Sequence, residues 1–268
     1  MKCKMALCQM VTRPDVQDNY DAARDLLAEA ARQGADIAIL PEIWTTRITP
    51  KNCLENAETV GGPAYTLMQA AAKEHNMYIF GGSIPIAHGD KIDNTCFVFD
   101  RSGNEIGRYD KCHLYDIDVD GGVSSKESAF VVPGDHQLVV DTEFGKVGVL
   151  ICYDLRFPSM FLKLAQMGAE MIVLPAAFHI QTGKAHWDFL TRARAVDTQV
   201  FFAAVGCATD HEAKFVTYGH SRLVDPWGEV LCEMGEEEGV AVIEIDTDRV
   251  KEIRRQLQSL QHQRPELY

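Results

Sequence analysis

Lys146-Val-Gly-Val-Leu-Ile-Cys-Tyr-Asp-Leu-Arg-Phe-Pro158 decides the fold class. Val147 to Ile151 form a short aliphatic run with no turn residue after Gly148, the pattern of a buried strand. The run stops at Cys152. Pro158 suits the first turn of the helix that Phe161, Leu162, Leu164 and Ala165 mark out, and Gly168 closes that helix. A thiol at the carboxyl end of a buried strand, just before a turn into a helix, stands where open α/β sheets hold their ligands. The N–H groups of such a turn can donate to a developing oxyanion. A lone cysteine in this setting usually packs as a small hydrophobe, so the rest of the chain has to decide.

Two further segments repeat the pattern. Asp36-Ile-Ala-Ile-Leu-Pro41 reads as an apolar strand that delivers Glu42 at its end. After the turn Arg101-Ser-Gly-Asn104, the strand Ile106–Tyr109 runs into Asp110-Lys-Cys-His-Leu-Tyr-Asp116 and presents Lys111. Taken singly, Glu42 and Lys111 read as solvated charges. Together with Cys152 they supply a base, a cation and a nucleophile, the parts needed for acyl transfer through a thioester. A thiol near its free pKa is only slightly ionised at neutral pH, so it needs such a base or cation beside it.

These residues resemble the Glu–Lys–Cys triad of the nitrilase superfamily of carbon–nitrogen hydrolases. The resemblance runs nearly end to end. It takes in Gly81-Gly-Ser-Ile-Pro85, Asn94-Thr95, Lys126-Glu-Ser128, Pro133-Gly134, Ala185-His-Trp187, Arg192 to Asp197, Gly219-His-Ser221, Val224-Asp-Pro-Trp-Gly228 and the tail Arg264-Pro-Glu-Leu-Tyr268. It implies a single carbon–nitrogen hydrolase domain over residues 1–268 with a four-layer α-β-β-α sandwich. It also implies a second glutamate, Glu127, holding Lys111, and the N–H of Tyr153 as an oxyanion donor beside the lysine. Homodimers or higher even oligomers are the expected assembly, with the apolar face of the helix after Cys152 (Phe161, Leu162, Ala165) offered as a packing surface.

Within the superfamily, Asp110 to Val119, Lys126-Glu-Ser128 and Thr182 to Trp187 look most like the ω-amidase branch, which hydrolyses the terminal amide of short dicarboxylic acid monoamides such as 2-oxoglutaramate. Amidases of deaminated glutathione, N-carbamoyl amidohydrolases and an inactive scaffold of the same fold are the alternative readings. The loop after Glu42 reads Ile43-Trp-Thr-Thr-Arg-Ile-Thr-Pro50, where the ω-amidase branch carries an Asn-Ser-Pro-Tyr-Gly type of sequence; this loop is expected to shape the substrate pocket. Arginine suits the binding of a substrate carboxylate, and Arg47 and Arg156 are the candidates. His186-Trp187 is expected to be a packing contact, Arg194–Asp197 an ion pair, and Cys112 a bystander.

Composition agrees. A formal charge of −13 argues against a nucleic-acid partner. No apolar run approaches spanning length, and Met1 to Met10 read as a strand rather than a signal segment, so a cytoplasmic enzyme is expected. None of the eight cysteines shows the paired spacing of a zinc site, and the histidines carry no ligand motif. Free thiols, no metal and no cofactor are expected. Strands and helices alternate as in layered α/β folds. Helices are expected through Ala23–Ala30, through Ala64–Ala71 after Pro63, and through Trp187, Leu190, Ala193 and Val196. Further strands are expected at Met77–Ile84, Thr95–Phe99, Met171–Leu174, Val200–Val205, Ser221–Val224 and Val240–Ile245.

Overall fold

The computed structural model describes residues 1–267; Tyr268, the last residue of the tail motif, lies outside them. The first part of the chain runs β1 (Lys2–Gln9), α1 (Val16–Arg32), β2 (Ile37–Ile39), α2 (Pro50–Glu55) and α3 (Pro63–His75). It continues through β3 (Tyr78–Phe80), β4 (Ile84–His88), β5 (Lys91–Phe99) and β6 (Glu105–Asp110). A small hairpin follows, β7 (Asp116–Asp118) and β8 (Ser124–Lys126). The second part comprises β9 (Leu138–Thr142), β10 (Gly145–Val149), α4 (Pro158–Gln166), β11 (Met171–Ala176) and α5 (Ile180–Thr198). It closes with β12 (Phe201–Gly206), β13 (Arg222–Val224), β14 (Val230–Glu233), β15 (Gly239–Asp246) and α6 (Asp248–Gln256).

One sheet has the order β15-β1-β2-β3-β5-β4, with β6 also on β5; the other has the order β14-β13-β12-β11-β10-β9. Alternation along the strands of the first sheet assigns its two faces. Met5, Leu7, Ile37, Ile39, Phe80 and Val98 point into one core shared with the second sheet. Ala6, Cys8, Ala38, Ile79, Phe97 and Phe99 point the other way, against α1 and α3. On the second sheet α4 approaches closely because Gly148 has no side chain; a Cβ there would lie 2.8 Å from Leu164 Cδ1. Phe161 of α4 meets Phe202 of β12 edge to face, with centroids 5.3 Å apart. The result is the expected α-β-β-α sandwich. β2 and β10 are each flanked by a strand on both sides, and their carboxyl ends lead to Glu42 and Cys152, both buried.

Three expectations are corrected. Met77–Ile84 is not one strand: Gly81-Gly82-Ser83 interrupts it, leaving β3 and β4 on either side. Gly82 has φ 65°, and a Cβ there would fall 2.0 Å from the Pro41 carbonyl oxygen. α5 buries Trp187, Thr191, Arg194, Ala195 and Thr198, while Val196 is exposed, so the buried face is not the apolar stripe. Polar residues are tolerated there because Thr191 and Thr198 bond back to carbonyls of their own helix and Arg194 Nε donates to Leu155 O at 3.0 Å. Finally, Phe161 and Ala165 are buried within the subunit, so the face of α4 offered for dimer packing is already occupied. Among the described residues, no helix is long and apolar enough to cross a membrane.

Gly82→Ala tests the tightest approach. It should destabilise the protein by more than about 1 kcal/mol, since alanine meets both positive φ and backbone. Gly89→Ala, where φ is 62° and the space is open, should cost less. Equal urea midpoints for the two variants would contradict the packing described.

Candidate active site

The Glu42 loop is held from three directions. Ser83 N donates to Pro41 O, and Ile43 N donates to Ser83 Oγ at 3.1 Å. Trp44 Nε1 donates to Gly81 O at 2.8 Å. Asn19 of α1 reaches in to Thr45 O. Ile43 has φ 48°, an unfavourable value for a β-branched residue that these contacts sustain. The carboxylate is then fully engaged. Oε1 accepts from Asn94 Nδ2 at 2.9 Å and from Lys111 Nζ at 2.8 Å, while Oε2 accepts from the Ala177 N–H at 2.8 Å.

Lys111 leaves the end of β6 with its N–H on Asn94 O. Its ammonium lies 2.8 Å from Glu42 and 2.9 Å from Glu127. Glu127 is fixed in turn by the Tyr115 N–H. Lys111 and Glu42 are only 2% and 4% exposed, so their attraction is little screened by solvent. Burial pushes the Lys111 pKa down, but Glu127 and Glu42 together overcome it and hold the group well above the ordinary lysine value. Lys111 is therefore held as a cation between the two carboxylates.

Cys152 opens the 3₁₀ turn Cys152–Arg156 with φ 44°, in the left-handed region that L-residues avoid. This sharp turn from strand to helix leaves Tyr153 at the first turn, where backbone donors lack intrahelical partners. Burial first, and the charge of Glu42 second, push the thiol pKa well above normal, with Lys111 pulling the opposite way.

Asp154 holds the turn together, a role that the sequence reading did not assign. Fully buried, it accepts from Ile151 N at 2.9 Å, Tyr109 Oη at 2.7 Å, His113 N at 3.1 Å and His113 Nδ1 at 2.8 Å. Tyr109 and His113 flank Lys111, so one carboxylate ties the segment of the cation to the segment of the thiol. His113 also stacks on Phe157, with centroids 3.6 Å apart. The aspartate was visible in Cys-Tyr-Asp, but its four donors come from folded contacts. Asn94 and the Ala177 N–H were likewise given no role, the latter because a backbone donor leaves no trace in a side-chain pattern.

Glu42, Lys111, Glu127, Cys152 and Tyr153 line one cavity of about 470 Å³. Arg47 and Arg156 do not line it. Arg47 pairs with Asp210 at 2.8 Å. Arg156 lies over the rings of Tyr153 and Phe178 and meets His186 Nδ1 at 3.2 Å. Both are engaged by the protein itself, which removes them as carboxylate clamps in this arrangement. Cys112 lies outside the cavity, and Cys53 lies within its wall.

Four layers with a buried glutamate, lysine and cysteine gathered at strand ends define the nitrilase-like class. A model of the carbon-nitrogen hydrolase family matches residues 4–255, and the chain belongs to that family, whose members hydrolyse carbon–nitrogen bonds other than peptide bonds. It is similar to an omega-amidase of Mus musculus, 41% identical over 99% of this chain and 96% of that one. An omega-amidase of Xenopus laevis is 42% identical over 100% of this chain and 97% of that one. Among solved structures, Saccharomyces cerevisiae Nit3, a member of branch 10 of the nitrilase superfamily, matches with TM-score 0.89 at 29% identity, over 100% of this chain and 97% of that one. A mutant amidase from Nesterenkonia sp. AN1 matches with TM-score 0.84 at 26% identity over 99% and 95% of the two chains; its active-site cysteine carries the acetamide moiety of fluoroacetamide.

Two outcomes follow from this electrostatic arrangement. Asp154→Asn replaces one acceptor oxygen with a donor and should cost about 2 kcal/mol of unfolding free energy, read from urea midpoints. Glu42→Gln removes a charge that raises the thiol while leaving the Lys111 cation that lowers it. The pH midpoint of Cys152 alkylation by iodoacetamide should therefore move down; an upward or absent shift would contradict the geometry.

Proposed function

We propose that this chain is an amidohydrolase of the ω-amidase type, cleaving the terminal amide of a small dicarboxylic acid monoamide such as 2-oxoglutaramate. The observation that carries the reading is the Lys111 ammonium held between Glu42 and Glu127 in the cavity that Cys152 lines. Glu42 takes the thiol proton as Cys152 Sγ attacks the amide carbon. Lys111 and the Tyr153 N–H stabilise the oxyanion, as preorganised donors do in acyl transfer. Glu42 returns the proton to the leaving nitrogen, the C–N bond breaks and ammonia departs, leaving a thioester. Glu42 next takes a proton from water and the hydroxide adds to the thioester; the C–S bond then breaks as Glu42 returns that proton to sulfur, restoring the thiol, and the acid product leaves as its carboxylate after losing a proton to solvent. Glu127 fixes the position and charge of Lys111 throughout. No step calls for a metal or cofactor. Similarity to omega-amidases along nearly the whole chain supports the substrate class.

The enzyme works in this reading as a cytoplasmic homodimer or higher even oligomer. With the α4 face internal, the exposed apolar side chains suited to pairing are Phe189 and Val196 of α5 and Trp227, at 55%, 41% and 57% exposure. Sedimentation equilibrium giving only the 29.9 kDa monomer at micromolar concentration would refute the assembly.

Ammonia release from 2-oxoglutaramate, an N-carbamoyl amino acid and an aliphatic nitrile, with cysteinylglycine release from deaminated glutathione, tests the reading. The first should be turned over best. Cys152→Ala should remove the activity, while Cys8→Ala and Cys232→Ala, away from the cavity, should keep most of it. Turnover surviving complete alkylation of Cys152 would overturn the assignment of the nucleophile.

A further inference from the structure

A short dicarboxylic monoamide carries a carboxylate at the end away from its amide, and that charge needs a donor once it leaves water. Arg47 and Arg156 are engaged elsewhere, and Lys111 is committed to two glutamates. Lys126 also lines the cavity, but it is exposed on β8, where an ion pair is worth little. The polar side chain best placed for the task is His179. It lines the same cavity, and it differs from the hydroxyls of the wall in that its free N–H is fixed by the fold.

The chain leaving β11 places this residue. The Ala177 N–H donates to Glu42 Oε2 at 2.8 Å, and His179 follows two residues later. Ala177, Phe178 and His179 all line the cavity. Two residues of extended chain span at most about 7 Å, so His179 stands within a short substrate's length of the base. Backbone bonds from Ile180 N to Val216 O and from Tyr218 N to Phe178 O hold the segment. The imidazole meets Phe215 edge on at 5.1 Å, Phe215 meets Tyr115 at 6.4 Å, and Tyr115 meets Tyr153, next to the nucleophile, at 5.2 Å. His179 is also the N-cap of α5: its Nδ1 accepts from the Gln181 N–H at 3.3 Å. Nδ1 therefore carries no proton, and the neutral ring holds its proton on Nε2. Burial keeps the pKa below the ordinary histidine value, so the ring is neutral at neutral pH. Among the described residues, Nε2 has no hydrogen-bond partner.

We propose that His179 reads the far carboxylate of the short monoamide, its Nε2–H donating to a carboxylate oxygen while Cys152 attacks the amide at the other end. The inference rests on the amidase reading above and assigns a specificity-determining residue to that same site. The helix cap does two things at once: it starts α5 and it commits the ring to the tautomer that donates. A hydrogen bond to a charged group is worth a factor of roughly ten to a hundred in binding. Because the contact lies away from the breaking bond, it holds ground state and transition state alike and acts mainly through KM.

The experiment measures ammonia release by the full-length enzyme from succinamate and from butanamide, the same carbon chain with a methyl group in place of the carboxylate, with 2-oxoglutaramate as reference. The wild type should prefer succinamate in kcat/KM. His179→Asn keeps a good N-cap for α5 and removes the Nε2 donor. It should lower the succinamate-to-butanamide ratio by about ten- to a hundredfold, mainly by raising KM for succinamate. His179→Asp also caps the helix but sets a negative charge against the substrate, and should lower the ratio further. A merely structural role would reduce both substrates together, so an unchanged ratio in both variants would overturn the proposal and leave the amidase reading standing. Loss of the preference in Lys126→Gln but not in the His179 variants would also overturn it and move the carboxylate to β8. Wild-type turnover of butanamide equal to that of succinamate would overturn the proposal together with the dicarboxylic substrate class. No ammonia from any of the three amides would overturn the amidase reading and this inference together.

Discussion

Everything at the candidate site depends on keeping one ammonium buried. An isolated lysine in the interior would lose its proton, because burial penalises the charged form. Here Glu42 and Glu127 reverse that penalty, and the lysine stays cationic. The arrangement keeps Lys111 charged between two carboxylates, while Glu42, whose other oxygen is held by the Ala177 N–H, acts by its charge on the thiol of Cys152. A buried pair of this kind is weak evidence for stability but strong evidence for function, since desolvating three ionisable groups has no structural return.

The cost of that cluster is carried by the surrounding backbone. Glu42 and Cys152 each adjoin a residue forced into positive φ, Ile43 in one case and Cys152 itself in the other. Both are retained by contacts from other parts of the chain: Ser83 and Trp44 on one side, Asp154 on the other. Gly82 completes the first clamp because only a residue without Cβ fits against Pro41. Strain stored at Ile43 and Cys152 is thus balanced by hydrogen bonds made elsewhere, as expected where geometry matters more than local preference.

The two sheets explain why these segments meet at all. β2 and β10 belong to different sheets, and the shared core of Leu7, Ile39, Phe80, Val149 and Val173 sets one against the other. Hydrophobic burial places the strand ends in proximity; polar contacts then fix their register. Asp154 is the clearest case, since its partners Tyr109 and His113 come from the Lys111 segment.

Periodicity alone determined the α/β class, the helices α1, α3 and α4 and most central strands, because burial on one face imprints a repeat on the residues. The order of Glu42, Lys111 and Cys152 at strand ends was also legible, since their residue types carry the chemistry. Short or polar elements were not: α2, the β7–β8 hairpin and α6 lack a long apolar repeat, and the buried face of α5 is held by threonine and arginine side chains that no hydrophobic pattern reveals. The break at Gly81-Gly82-Ser83 depended on an oxygen from a distant loop. Arg47 and Arg156 carried the right chemistry for a carboxylate, yet only the folded chain showed their partners, Asp210 and the rings of Tyr153 and Phe178. Sequence declares what a side chain can do; which partner it faces depends on contacts between residues far apart in the chain, and tertiary structure alone decides them.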